Sequence, residues 1–224
     1  MKRNLHGPSN NRQRVLVLAC GALARELREI ISTNGLNNID LEYLPASYHN
    51  TPNLIPEAVA KRVREVVNRY DKIFVGYGDC GTGGRLDKVC QDLGAERLQG
   101  AHCYEIFAGE KTFAELQESE PGTFYLTDYL ARNFERLVIR SLGLDRHPEL
   151  RDVYFHNYSR LVYLAQQDDP NLRDRALAAA NQLGLTLEIR HTGYGDLERT
   201  IVDFPRQPKS RNLTPPSSKH VLVS

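Results

Sequence analysis

Three of the four cysteines in this 224-residue chain fall in loops that follow strand patterns: Cys20, Cys80 and Cys103. A thiolate is both a soft metal ligand and a nucleophile, so cysteines placed this way invite a chemical reading. None of the spacings is the C-x-x-C of a zinc knuckle. Thiols at the ends of neighbouring parallel strands can still converge, and three of them suit Zn²⁺ or a [4Fe–4S] cluster with one open position. His49, in a polar loop between prolines, and His102, next to Cys103, are candidate fourth ligands or proton carriers. Asp79, just before Cys80, is a candidate general base, ligand-orienting group or helix cap. The fourth cysteine, Cys90, sits beside Val89 in a helical pattern and reads as packing.

Cys80 lies inside Gly76-Tyr77-Gly78-Asp79-Cys80-Gly81-Thr82-Gly83-Gly84, the most distinctive stretch of the chain. Five glycines in nine residues let the backbone approach a bound group closely. A helical pattern follows from Arg85, and a helix start favours an anion or a thiolate. Gly81, Thr82, Gly83 and Gly84 are therefore expected to cradle a small anionic substrate, with Tyr77 and Asp128 as further substrate contacts. The stretch is neither a phosphate loop ending in Gly-Lys-Ser/Thr nor the G-x-G-x-x-G dinucleotide fingerprint, so no nucleotide is implied. Gly-Tyr-Gly-Asp returns at residues 193–196, without the cysteine.

These residues need a scaffold, and its pattern runs through the chain. Apolar runs at 14–19, 39–44, 72–75, 123–126, 161–165 and 186–190 read as strands, with a weak one at 96–98. Helical patterns alternate with them at 23–32, 57–70, 85–93, 110–119, 129–142, 148–154, 172–183 and 196–201. Such alternation predicts an α/β fold of mainly parallel sheet with flanking helices, built from three related βα segments if the strand-end pattern is a true repeat. Ligands in these folds collect at the carboxyl ends of strands, where the cysteines fall. The expected organisation is a disordered lead-in at 1–13, one α/β domain at 14–204 and a polar, proline-rich disordered tail at 205–224. His6 and His220 belong to those ends.

Bulk composition narrows the partners. Twenty-nine basic residues against 28 acidic ones give a net charge of +1, which offers no electrostatic reason to bind nucleic acid or an anionic membrane. No apolar run reaches the ~18–20 residues of a membrane span, and the polar N-terminus lacks a signal-peptide core. A cytoplasmic location with reduced cysteines is expected.

The segments 18–23, 44–56, 76–84, 100–105, 124–128 and 142–149 together resemble an uncharacterised family, domain of unknown function 1638, over about residues 14–204. That resemblance implies a place near corrinoid-dependent methyltransferases and one-carbon metabolism. The layout of three segments each ending in a thiol is also similar in outline to quinolinate synthase, which holds a [4Fe–4S] cluster on three cysteines. Taken together, the expected function is a metal- or iron–sulfur-dependent enzyme, a transferase or lyase acting on a small anionic substrate. The alternative is a non-catalytic accessory or binding protein for a corrinoid or folate methyltransferase system. A metal-free thiol nucleophile at Cys80 is a third option.

Overall fold

The computed structural model describes residues 13–208. The rest of the expected lead-in and tail, with His6 and His220, lies outside the described residues. The expected domain contains two compact units. One comprises residues 13–76, 82–97 and 201–208; the other comprises 77–81 and 98–200.

The first unit holds β1 (Val15–Cys20), α1 (Ala24–Thr33), β2 (Ile39–Leu44), α2 (Leu54–Val66), β3 (Lys72–Gly76), α3 (Arg85–Leu93) and β4 (Glu96–Arg97). Its strands are parallel in the order β2-β1-β3-β4. Every residue of β1 and β3 is buried, as continuous apolar runs covered on both faces should be. Gly76 is required where β3 leaves: a Cβ there would stand 2.5 Å from the Cβ of its register partner Ala19. Helix α2 begins three residues before the expected Glu57 and keeps Pro56 in its first turn, where a missing N–H costs nothing.

One polar anchor lies in this unit. Lys72 is 3% exposed, and its ammonium donates to the Phe204 carbonyl at 2.7 Å and the Gln207 carbonyl at 2.5 Å. It also sits 4.8 Å from the Phe204 ring centroid. Burial pushes the Lys72 amine below its ordinary value. The anchor holds a 3₁₀ turn at Phe204–Arg206 in the stretch where the expected tail begins.

The second unit holds α4 (Cys103–Ala108), α5 (Glu110–Ser119), β5 (Thr123–Thr127), α6 (Asp128–Arg132), α7 (Leu150–Phe155), β6 (Arg160–Ala165), α8 (Pro170–Leu183) and β7 (Thr186–His191). The last helix, α9 (Gly195–Asp203), begins in this unit. Strands β5, β6 and β7 form a second parallel sheet in that order. Its core joins Leu126, Leu161 and Tyr163 of the sheet to Ala176, Ala179 and Leu183 of α8. The α/β class, with parallel strands and flanking helices, is as the sequence predicts.

Two local expectations change. The single helix predicted at 129–142 is instead α6 followed by a π-helical turn at Glu135–Ile139. Asn133 causes the break: its side-chain amide donates to the Tyr129 carbonyl at 2.8 Å and its backbone amide turns to Leu130. The stretch 100–105, read as irregular, contains the start of α4.

Candidate functional site

In the first unit the crossovers from β1 and from β3 leave to opposite sides of the sheet. The carboxyl ends of β1 and β3 are therefore its topological switch point, the place where open α/β sheets bind ligands. Cys20 is the last residue of β1, paired in register with Leu44 at the end of β2. Beyond β2 the chain makes a 3₁₀ turn, Ala46–Asn50, that carries His49. Gly21 lets this turn come in: a Cβ on it would meet the Leu44 carbonyl oxygen at 3.1 Å and the Ala46 amide nitrogen at 3.5 Å. As a result Cys20 Sγ lies 3.6 Å from His49 Nδ1.

The surroundings of this pair favour a neutral imidazole. Cys20 Sγ accepts the Ala22 amide at 3.4 Å and so caps the turn Gly21–Leu23. Burial pushes the His49 imidazole below its ordinary value, against a hydrogen bond to the Ala46 backbone that pulls the other way. A neutral imidazole is the form that binds metals or accepts a proton. The separation also suits a shared metal. Sulfur at ~2.3 Å and nitrogen at ~2.0–2.1 Å from a tetrahedral Zn²⁺ lie ~3.5 Å apart.

The glycine-rich loop is divided, its residues 77–81 grouping with the second unit and 82–84 with the first. The helix start at Arg85 is largely self-satisfied. Thr82, 1% exposed, accepts the Leu86 amide on its hydroxyl at 3.4 Å, and its carbonyl accepts the Arg85 amide and, at 2.9 Å, Arg85 Nε. The Arg85 guanidinium also reaches the Asn53 side chain.

In the second unit, residues 78–80 zip onto 100–102. The Asp79 amide donates to the Gly100 carbonyl at 3.0 Å and the Cys80 amide to the Ala101 carbonyl at 2.7 Å. Gly78 permits this, since a Cβ there would meet the Gly100 oxygen at 3.0 Å. Cys80 has φ of 49°, the only non-glycine residue in the left-handed region among the described residues. Its neighbour Gly81 continues in that region at 81°. A half-buried thiol is thus held on a strained turn, a feature that clusters at functional sites.

His102 packs against the rings of Tyr104 and Phe113, with centroids 5.2 Å and 4.9 Å away. Tyr125 stacks on Tyr104 behind them at 5.5 Å. Burial pushes the His102 imidazole down, and the nearby Glu105 charge opposes it. Burial, then the charges of Cys103 and Cys80, push the Tyr104 hydroxyl up, so both thiols lie near that phenol. Glu105 has a positioning role, its carboxylate accepting the Ala101 amide at 2.7 Å.

Two expected substrate contacts are core groups. Tyr77 is 1% exposed. Asp128 is fully buried at the end of β5, where its Oδ1 accepts the Tyr163 hydroxyl at 2.7 Å and the Gln166 amide at 3.0 Å, and its Oδ2 meets Arg132 at 3.3 Å. It ties β5 to β6. Cys90 is a packed thiol, pushed up to about 12 by burial.

The candidate metal ligands group as Cys20 and His49 in the first unit, and Cys80, His102 and Cys103 in the second. Among the described residues no group of three or more His, Cys, Asp or Glu side chains is gathered as a metal ion would require. No helix is long and apolar enough to cross a membrane among the described residues. The positioning role of Gly21 had one signal in the sequence, a glycine directly after a strand.

No curated protein matches the sequence. A family model covers residues 43–201, which include His49, the glycine-rich loop and every element from α2 to the start of the last helix. The chain belongs to the family described as Protein of unknown function (DUF1638).

Proposed function

We propose that this protein is a metal-dependent enzyme acting on a small anionic substrate, with Cys20 and His49 as the protein's donors to the metal. The observation behind this reading is the 3.6 Å approach of Cys20 Sγ to His49 Nδ1 at the switch point of the first sheet. The donor types and their separation suit Zn²⁺, and burial keeps the imidazole neutral as a ligand must be. Two protein donors leave coordination positions open, as catalytic rather than structural zinc requires. Zinc in such a position polarises a bound oxygen or activates water. Two donors also hold a metal less firmly than four, so occupancy is the discriminating measurement.

The test is elemental analysis of the full chain purified without oxygen, followed by titration with Co²⁺. Expected are bound zinc and a near-ultraviolet thiolate-to-cobalt band that Cys20→Ser and His49→Ala each abolish. Metal-free protein with no such band, or a band indifferent to both substitutions, would overturn the reading.

The left-handed backbone of Cys80 supports a second reading, a metal-free thiol nucleophile at that residue. Iodoacetamide below pH 7 should then modify Cys80 well ahead of Cys20, Cys90 and Cys103. Even labelling of the cysteines would remove that option.

A further inference from the structure

Three cations lie on or against α3, and two of them are neutralised. Lys88 pairs with Asp92 at 3.3 Å and Arg97 with Asp87 at 2.7 Å. Arg85, the first residue of the helix, is held differently. Its Nε donates to the Thr82 carbonyl at 2.9 Å and its Nη2 to the Asn53 side-chain oxygen, and both acceptors are neutral. Among the described residues the Arg85 guanidinium makes no ion pair. The acid in the first turn of α3, Asp87, gives both of its oxygens to Arg97.

This is an unusual way to keep an exposed arginine. Fixing its side chain gives up rotamer freedom, and the first turn of a helix is where a cation is least favoured. Arg85 bears both costs without a counter-charge. Two of its five guanidinium donors are used, so three remain on a group whose direction is set. A guanidinium held this way matches a carboxylate or a phosphate through paired N–H···O bonds. Its place also fits. Asn53 stands at the start of α2, at the end of the connection that carries His49, and α2 packs against α3. The connections from β1, β2 and β3 thus bring Cys20, His49 and Arg85 to one edge of the first sheet.

We propose that Arg85 receives the anionic end of the substrate, a carboxylate or a phosphate, and that Asn53 is the positioning residue that aims the guanidinium. The metal reading, on which this rests, puts the reacting end of the same substrate at Cys20 and His49. The neutrality of Asn53 is essential to its role. An aspartate there would accept the same hydrogen bond, but it would cancel the charge that the substrate needs.

The test follows arginine Nε–H signals and backbone amides of the full chain by NMR. Acetate and inorganic phosphate are added separately at millimolar concentration, without metal and then with zinc. The Arg85 Nε–H and the amides of residues 82–86 should shift saturably with at least one of them, and the tighter anion names the class. The ion-paired Arg62 and Arg97 should not respond. Arg85→Gln and Asn53→Asp should each weaken the anion by about tenfold or more, the loss expected of one charged hydrogen bond. Asn53→Gln keeps a neutral acceptor and should bind more tightly than Asn53→Asp, a difference of charge that a merely structural role would not produce. Both positions are exposed, so the fold and the cobalt band should survive in these variants. A missing cobalt band with the anion shifts intact counts against the metal alone. No saturable shift at Arg85 with either anion, equal shifts at Arg97, or affinity unchanged in Arg85→Gln or Asn53→Asp would overturn the proposal.

Discussion

Replacing Cys80 by glycine should stabilise this protein relative to replacing it by alanine. Both variants remove the thiol, so the packing and hydrogen bonding of Sγ cancel in the comparison. What remains is the backbone, which sits at φ of 49° and is pinned there by the 2.7 Å hydrogen bond from the Cys80 amide to Ala101. A left-handed L-residue costs ~1–2 kcal/mol, a cost that glycine does not carry. Glycine's greater freedom in the unfolded chain returns ~0.5–1 kcal/mol of that. The net expectation is about 1 kcal/mol in favour of glycine. For a chain of this size that is ~2–4 °C in the unfolding midpoint, readable by calorimetry or circular dichroism. If alanine matches or exceeds glycine, the turn carries no strain, and the physical basis for a nucleophile at Cys80 is gone.

Three further outcomes follow from buried groups. Burial lowers both His49 and His102 below 6.5, so the unfolded chain takes up protons first as pH falls. Their stabilisation is whole above pH 6.5 and is lost as pH drops through the lowered folded values. Urea midpoints should hold near neutrality and fall in mild acid, less steeply in His49→Gln and His102→Gln; identical pH profiles in wild type and variants would contradict this. Asp128→Ala leaves Tyr163, the Gln166 amide and Arg132 without their carboxylate, and should cost about 3 kcal/mol in denaturant unfolding. A cost below ~1 kcal/mol would mean that Asp128 does not hold β5 to β6. Lys72→Met removes the donor shared by the Phe204 and Gln207 carbonyls and should lower stability by ~1–3 kcal/mol while speeding proteolysis near residues 204–207. Unchanged cleavage there would show that the anchor does not hold the segment.

The legible parts of this fold are those with local causes. Strand Ile39–Leu44 and helices Arg85–Leu93 and Glu110–Ser119 fall where periodicity and the stops at Gly94 and Pro121-Gly122 put them. Cys20 and His49 are recognisable as reactive types in loops, but their meeting depends on parallel pairing of β1 with β2 in one register. Asp128 shows the opposite case. An acid at a strand end looks available for a ligand, yet the groups that bury it, Tyr163 and Gln166, lie 35 and 38 residues along the chain. Nothing near Asp128 announces them. The helix predicted through 142 breaks because one side-chain amide outcompetes a backbone bond, a contest that apolar periodicity cannot register.

The repeated Gly-Tyr-Gly-Asp has a physical explanation in the second unit that needs no common ancestry. In each copy the second glycine is where backbone passes close to the segment 100–107. A Cβ on Gly78 would meet the Gly100 oxygen at 3.0 Å; one on Gly195 would meet the Phe107 and Ile106 oxygens at 2.4 Å and 2.6 Å. The demands differ in degree. Gly195 also has φ of 53°, whereas Gly78 is absent from the positive-φ glycines. Gly195→Ala therefore combines left-handed strain of ~1–2 kcal/mol with a backbone collision, and should cost about 3 kcal/mol or more. Gly78→Ala needs a shift of only a few tenths of an ångström, and should cost about 1 kcal/mol. Matched denaturant unfolding of the two variants decides the matter. Equal costs would mean that the motif serves something other than close approach, and descent from one ancestral segment would become the better account of the echo.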